Sequence, residues 1–498
     1  MPVLTLHPLG RTLEVTTGAP LQDVLFEQGV EFPCGGGGKC KGCRIKVLRG
    51  ELPVTDADET LLTANELADG WRLACQAEAR DDLVIELAQW EAPILSDDST
   101  FAFTPRGGLG VAVDLGTTTI AVQLLDLRTG NVVAVRTALN AQARHGADIM
   151  SRLEFAIREG TQPLTALVRE QIGGLIESMI DGCDASSLRD VVIVGNSAMH
   201  HLFCGLDIEP LAYDPFEPHD AGLKVLRAMD LGWGFIPDAS VRFLPCLGGF
   251  VGSDLLAGIL ATRLHESAEP VALVDLGTNG EIVVGNRDRI LCCSTAAGPA
   301  FEGARISMGM RASTGAISEV HVQDGRIVCH VLGGAEPRGL CGSGLVDAVA
   351  ACLELGPIVP SGRMMTGNSV MLAPPVVLTQ GDVRELQLAK GAIAAGLELL
   401  AEQLGAALDD LHALHLAGAF GNYINRTSAR RIGLLNVAAD RIRPVGNSAL
   451  LGAKMALFDL PREDGSFTAL LGKVRHVPLN EHPRFQDVYV DNMGFPKL

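Results

Sequence analysis

Aromatic side chains are scarce in this sequence: Phe, Trp and Tyr make up 4% of 498 residues. Platforms for stacking bases are therefore few. Basic blocks are missing too, and the net charge is −19. Both facts argue against nucleic acid as the main partner, because phosphate binding needs clustered Lys and Arg. No stretch of about 20 apolar residues occurs, so no membrane span is expected. The opening MPVLTLHPLGRTLEV has no basic segment followed by an apolar core. No secretion signal is expected from it, and the cytoplasm is the expected location. What the chain does have is cysteine. Twelve Cys without a secretion signal point to reduced thiols and metal ligands rather than disulfides. A hydrophobic fraction of 47% and a charged fraction of 20% are ordinary for a globular chain able to build several cores.

The first 91 residues alternate like strands at Val3–Leu6, Thr12–Val15, Arg44–Leu48 and Leu83–Leu87. Leu21–Gln28 reads as a short helix closed by Gly29, and Thr55–Asp58 as a polar loop entering a second one. This order suits a small β-grasp domain. Residues 92–108, rich in Pro, Gly, Ser and Asp, read as a linker. The rest repeats itself. Val111–Thr118 opens one strand–turn–strand unit, and Ala272–Asn279 opens another 161 residues later. Each half then carries a strand running into a Gly turn and a helix, at Val191–Asn196 and at Leu414–Gly421. Such a repeat predicts two similar α/β lobes facing each other, over 109–265 and 266–498, with a C-terminal segment returning to the first.

Cys34, Cys40, Cys43 and Cys75 stand as C-x5-C-x2-C-x31-C. Three thiolates on one loop and a fourth from elsewhere can surround a two-iron cluster. The glycines Gly35–Gly38 let backbone N–H groups approach the sulfurs. The first gap is one residue longer than the plant-type spacing and is similar to the adrenodoxin-like branch. A structural zinc site could use the same four thiols. The remaining cysteines, Cys292 and Cys293 among them, read as small buried hydrophobes.

Asp114, Gly116, Thr117 and Thr118 form a tight turn suited to phosphate, with the carboxylate able to hold Mg²⁺ through waters. Asp275, Gly277, Thr278, Asn279 and Gly280 repeat that design. One such turn is weak evidence of a nucleotide site, whereas two in repeated lobes can clamp a triphosphate. Residues from Leu109 to about Leu457 resemble the actin/sugar-kinase/heat-shock-chaperone superfamily on this pair of turns. Gly418, Ala419 and Gly421 match its adenosine motif, and Gly446–Ala449 its second connecting element. The segments Ala297–Gly303 and Cys341–Gly344 are weaker contacts, equally well read as plain turns. Asp148 and Asp254 are candidates to orient an attacking water, with helix N-capping as the bland alternative. His200 and His201 read as packing or capping residues.

The stretches CGGGGKCKGC, VDLGTTT, GADIMSRLEFA, AAGPAFEGARISMGM, LCGSGLVD and LAGAFGNYI together resemble the reductive activators of corrinoid proteins, over essentially the whole chain. That family combines a ferredoxin domain, a linker, a middle region and an ATPase. Here the ferredoxin domain is followed by only a short linker, so a separate middle region is expected to be reduced or absent. The resemblance implies a 2Fe–2S cluster, ATP and Mg²⁺ as cofactors, an upstream electron donor, and a corrinoid methyltransferase or methionine-synthase protein as partner. It implies ATP-dependent reduction of Co(II) to Co(I). Each 100 mV uphill costs about 2.3 kcal/mol for one electron, so a ferredoxin alone would give little Co(I). A small-molecule kinase with a fused ferredoxin and a non-enzymatic electron carrier remain as rival classes, the second disfavoured by the intact Asp114 and Asp275 motifs.

Overall fold

The computed structural model describes all residues except 8–9, 27, 29, 31, 33–35, 39–40, 42, 88–100, 147, 181–183, 278, 304, 366, 460–468 and 498. Two compact units separate. One gathers Met1–Pro93, Thr117–Thr119 and Ala138–Val168, and the other Ile94–Gly116, Ile120–Thr137 and Arg169–Leu498.

The first unit contains a five-stranded mixed sheet. Its strands are β1 (Val3–His7), β2 (Arg11–Glu14), β3 (Arg44–Arg49), β4 (Trp71–Leu73) and β5 (Leu83–Leu87), in the order β2-β1-β5-β3-β4. β1 runs parallel to β5 and antiparallel to β2. Period-two alternation sends Leu4, Leu6, Leu83, Ile85 and Leu87 to one buried face. Helix α1 (Leu21–Phe26) covers that face with Leu21, Leu25 and Phe26. Each fully buried large apolar side chain contributes about 1.5–3 kcal/mol. The four expected strands and the short helix are all present, which is the β-grasp plan. The helix α2 (Ile149–Glu159) belongs to the same unit.

The second unit holds two six-stranded sheets. The first comprises β6 (Leu109–Leu115), β7 (Thr119–Asp126), β8 (Val132–Leu139), β9 (Leu188–Gly195), β10 (Lys224–Arg227) and β11 (Ser240–Phe243), in the order β8-β7-β6-β9-β11-β10. The second comprises β12 (Val271–Leu276), β13 (Gly280–Gly285), β14 (Ile290–Thr295), β15 (Ala413–Ala417), β16 (Ile442–Gly446) and β17 (Val474–His476), in the order β16-β15-β12-β13-β14-β17. The internal repeat of the sequence is a repeat of topology. β6 and β7 form a hairpin and β9 joins β6 in parallel; β12 and β13 form a hairpin and β15 joins β12 in parallel. The central strands are buried on both faces and read as continuous apolar runs.

Helices α3 (Ser253–Thr262), α4 (Gly342–Leu355), α5 (Gln380–Leu404), α6 (Gly418–Tyr423), α7 (Ser448–Asp459) and α8 (Phe485–Met493) complete the plan. α3 and α7 touch through small residues: a Cβ on Gly452 would lie 2.0 Å from the Ala257 carbonyl oxygen. α7 rests on β6 and β9 of the first sheet, whereas β17 pairs with β14 and α8 lies on α5. The C-terminal segment is thus shared between the two sheets. Much of the expected linker falls outside the described residues. Its end is packed, for Phe101 and Phe103 join the core beneath α7, with the Phe103 and Phe458 ring centroids 4.4 Å apart.

Candidate functional site

Cys43 is buried at the start of β3, and Cys75 sits in a 3-10 turn, Ala74–Gln76, directly after β4. The β3–β4 pairing brings them together, sealed by the Ala74 N–H donating to the Cys43 carbonyl at 3.1 Å. Buried Asp58 holds this corner by accepting the Leu73 N–H at 2.7 Å. Gln76 Nε2 donates to the Gly36 carbonyl at 3.0 Å and approaches Cys75 Sγ at 3.5 Å. Gly36 has φ +80°, and a Cβ there would lie 2.0 Å from Gln22 Oε1 of α1. Only glycine fits. Lys41 and Arg44 flank the loop and bind Glu66 at 3.1 and 3.0 Å. Burial pushes the Glu66 carboxyl up, but hydrogen bonds from Thr63 and Lys41 outweigh it and hold the pKa at about 2. Cys34 and Cys40 lie outside the described residues, as do Gly35 and Thr278 and the side chain of Ala419. The paired thiols, the glycine cradle and a donor beside one sulfur fit a cluster with four cysteine ligands.

In the second unit, the ends of parallel strands meet, the position where open α/β sheets bind ligands. Asp114 is the penultimate residue of β6 and Asp275 that of β12. Burial raises the Asp114 carboxyl to about 6 against a hydrogen bond from Asn447 Nδ2 to its Oδ2, 2.8 Å. Burial, then the charge of Asp114, raises Asp275 to about 7. Asp254 in the first turn of α3 is also raised to about 7, by burial and then by Asp114 and Asp275, although the Leu255 N–H opposes the shift. Glu281, next to the second turn, is pushed well above its ordinary range by burial and by Asp254 and Asp275. All four remain partly open to solvent. Among the described residues no three such groups stand close enough to hold a metal directly. Mutual repulsion with room for water fits a cation held through its hydration shell.

Tight backbone packing positions this group. Gly195 ends β9, and a Cβ on it would lie 2.5 Å from the Leu115 carbonyl oxygen. Ser253 Oγ accepts from the Gly195 N–H at 3.1 Å and so brings the first turn of α3 to the end of β6. Gly418, the first residue of α6, has φ +83°, and a Cβ there would lie 2.6 Å from Asp275 Oδ1. Asn447 Oδ1 also accepts the Leu450 N–H at 2.8 Å, so one side chain caps α7 and reaches Asp114. Gly277 N–H closes the second turn on the Asn279 carbonyl at 3.0 Å. Gly280 abuts Ile393, and Gly421 abuts Leu416.

Two sequence readings separate here. Asp254 joins the carboxylates. Asp148 is the exposed N-cap of α2, its Oδ1 accepting the Ser151 N–H at 2.8 Å. Its carboxylate is thus engaged as the cap of α2. The two weaker candidate segments pack on each other: a Cβ on Gly342 would lie 1.9 Å from the Phe301 carbonyl oxygen. His200 and His201 are buried, and their imidazoles bond the carbonyls of Gly222 and Ser197. Glu281 and Arg152 were missed by sequence reasoning. Glu281 had a readable signal, an acid directly after Gly280. Arg152 had none: it is a lone basic residue on a helix, yet it is fully buried.

A ferredoxin-type domain joined to a duplicated nucleotide-binding fold defines an iron–sulfur ATPase. Family models match three stretches: the 2Fe-2S iron-sulfur cluster binding domain over 4–80, the RACo middle region over 109–267, and the C-terminal domain of RACo, the ASKHA domain, over 269–498. The corrinoid activation enzyme RamQ of Eubacterium limosum is 36% identical over 78% of this chain and 70% of its own length. The Co(II) methylated amine-specific corrinoid protein reductase of Methanosarcina barkeri is 30% identical over 71% of each. A solved reductive activator for corrinoid,iron-sulfur protein matches with TM-score 0.68 and 26% identity, covering 100% of this chain and 98% of that one. The chain belongs to the family of reductive activators of corrinoid proteins. The expectation of a reduced middle region is overturned, since the middle-region model matches the stretch read as the first lobe. Among the described residues no helix is long and apolar enough to cross a membrane.

Proposed function

We propose that this protein uses ATP to drive reduction of Co(II) to Co(I) on a corrinoid protein of a methyltransferase or methionine-synthase system. The observation that carries the reading is one chain holding both a cluster-type thiol corner and paired DLGT turns, at 36% identity to a corrinoid activation enzyme. Cys34, Cys40, Cys43 and Cys75 would hold a 2Fe–2S cluster. When bound, the cluster supplies one electron, which an upstream donor restores. Asp114 and Asp275 would hold Mg²⁺ through its waters, and Thr117, Thr118, Thr278 and Asn279 would donate to the phosphates. Gly418, Ala419 and Gly421 let the backbone approach the adenosine. Asp254, in the first turn of α3 and within the field of Asp114 and Asp275, would accept a proton from the attacking water. Reduced cluster thiols require a reducing compartment, and we place the protein in the cytoplasm.

The test is an anaerobic mixture of reductant, this protein and a Co(II) corrinoid protein, followed by absorption. Co(I) should form only with Mg-ATP and only with all four cysteines intact. Equal Co(I) formation without ATP reduces the chain to an electron carrier. Phosphorylation of a metabolite without change at cobalt favours a kinase.

A further inference from the structure

The first compact unit contains more than the ferredoxin-type domain. It also contains Thr117–Thr119, the tip of the first phosphate turn, and Ala138–Val168. Hydrogen bonds join these pieces. Arg152 of α2 is fully buried, and its Nη2 donates to the Thr117 carbonyl at 2.5 Å. Its Nε donates to the Gly146 carbonyl at 2.8 Å and its Nη1 to Gln142 Oε1 at 3.4 Å. The Asn140 N–H donates to the Thr118 carbonyl at 2.8 Å. A trans peptide is planar, with its C=O and N–H pointing opposite ways. Holding the Thr117 and Thr118 carbonyls therefore sets the Thr118 and Thr119 N–H groups on the opposite side, away from these donors. A buried guanidinium thus fixes the presentation of the turn.

The same segment reaches the ferredoxin core. Leu139, Ala141 and Ala143 pack into the apolar cluster built by β1, β5 and α1. Asn140 and Gln142 alternate with them and carry the polar links. Arg144, at the end of the 3-10 turn Ala141–Arg144, lies over the Phe26 ring at 5.1 Å. Phe26 ends α1. One helical turn earlier on α1 stands Gln22, the side chain against Gly36 of the Cys-rich loop. A path therefore runs from the phosphate turn through Arg152 to Gln142, along the 3-10 turn to Arg144, across to Phe26, and along α1 to Gln22 and the loop.

We propose that Arg152 is a positioning residue for the first phosphate turn, and that the Arg144–Phe26 contact reports nucleotide occupancy of that turn to the Cys-rich loop. This rests on the nucleotide reading above. Phosphate seated on the Thr118 and Thr119 N–H groups pulls on peptide planes whose carbonyls Arg152 and Asn140 hold. Any shift of α2 or of Ala141–Arg144 meets α1 directly, because close-packed groups transmit displacement. Coupling energies along such networks correspond to about 2- to 30-fold effects.

The test uses the full-length holoprotein with Mg²⁺ and a non-hydrolysable ATP analogue. Binding is measured by calorimetry, circular dichroism is recorded in the visible cluster bands, and amide exchange is followed over residues 21–26. In the wild type the analogue should change the visible dichroism and slow exchange in α1 about 2- to 30-fold. Arg144→Gln, a partly exposed site outside the nucleotide turns, should bind the analogue with wild-type affinity and show neither response. Arg152→Gln should weaken analogue binding about tenfold or more, and Arg152→Lys should restore part of it; a purely structural loss would instead lower thermal stability equally in both. Retained responses in Arg144→Gln overturn the relay, as does a wild type that binds analogue without responding. A wild type that binds no analogue overturns the nucleotide reading itself, and the relay with it.

Discussion

Two turns of nearly the same sequence, Asp114–Thr118 and Asp275–Asn279, end equivalent central strands and can be compared by what backs them. Behind the first stands a buried guanidinium bonded to the Thr117 carbonyl. Close packing backs both: Gly195 lies against the Leu115 carbonyl, and Gly418 against the Asp275 carboxylate. A hydrogen-bonded cation can loosen or tighten as the turn fills. A close-packed backing has little freedom to do either. The duplicated motif keeps its chemistry, an aspartate and a run of donors, and its glycine backing. At the first turn the guanidinium is the part suited to respond to occupancy, and the glycine contacts are the part suited to hold geometry.

The largest effect expected concerns what the turns share. Asp114→Ala and Asp275→Ala should each lower ATP hydrolysis by at least about 10²-fold and leave the visible spectrum of the cluster unchanged. Wild-type hydrolysis in either variant would break the equivalence of the pair.

The next prediction isolates the glycine backing. Gly418→Ala places a methyl 2.6 Å from Asp275 Oδ1 at φ +83°, a strain of about 1–3 kcal/mol. KM for ATP should rise about tenfold and Tm should fall by a few degrees. An unchanged KM in a stably folded variant would show that this backing is not rigid.

Asn447→Ala removes the hydrogen bond that opposes burial at Asp114. The Asp114 carboxyl should rise further, moving the acid limb of the hydrolysis profile to higher pH. A loss of about 1 kcal/mol in stability should accompany it, because the cap of α7 is lost too. A pH profile superposable on the wild type would remove Asn447 from the site.

A further effect is on stability. Asp254 and Asp275 are raised to about 7 in the folded protein, whereas unfolded aspartates titrate near about 3.9. Between these limits the folded state binds protons that the unfolded chain has released. The stability of the nucleotide-free protein should thus fall as pH rises from about 4 to about 7. Asp275→Asn should flatten the fall, and Mg-ATP should flatten it in the wild type. Melting curves across that range check both, and an Asp275→Asn curve parallel to the wild type would count against a shared carboxylate field.

Reading along the chain went far because both signals are local. Cys34–Cys43 is a short spacing, and each DLGT turn lies within one hairpin, so the chemistry sits in consecutive residues. The strands of the ferredoxin domain were legible through period-two alternation, and the duplicated lobes through the repeat at 161 residues. Helix capping was readable as well, but its outcome was not. Asp148 and Asp254 each begin or nearly begin a helix. One caps at the surface and the other faces two aspartates from distant strands. Local sequence offers Asp148 a capping partner in Ser151 and sets Asp254 in an apolar run, but only the fold shows what each carboxylate faces.

By itself, then, the sequence determined the two kinds of chemistry and the order of their domains, since these depend on residue types at short separations. Tertiary structure alone decided which carboxylates repel one another, which glycine lies against Asp275, and that a buried arginine in α2 holds Thr117. The Arg152–Thr117 bond joins residues 35 positions apart, and the Asn447–Asp114 bond joins residues 333 apart. Their distances are set by strand pairing and helix packing, which no local pattern encodes.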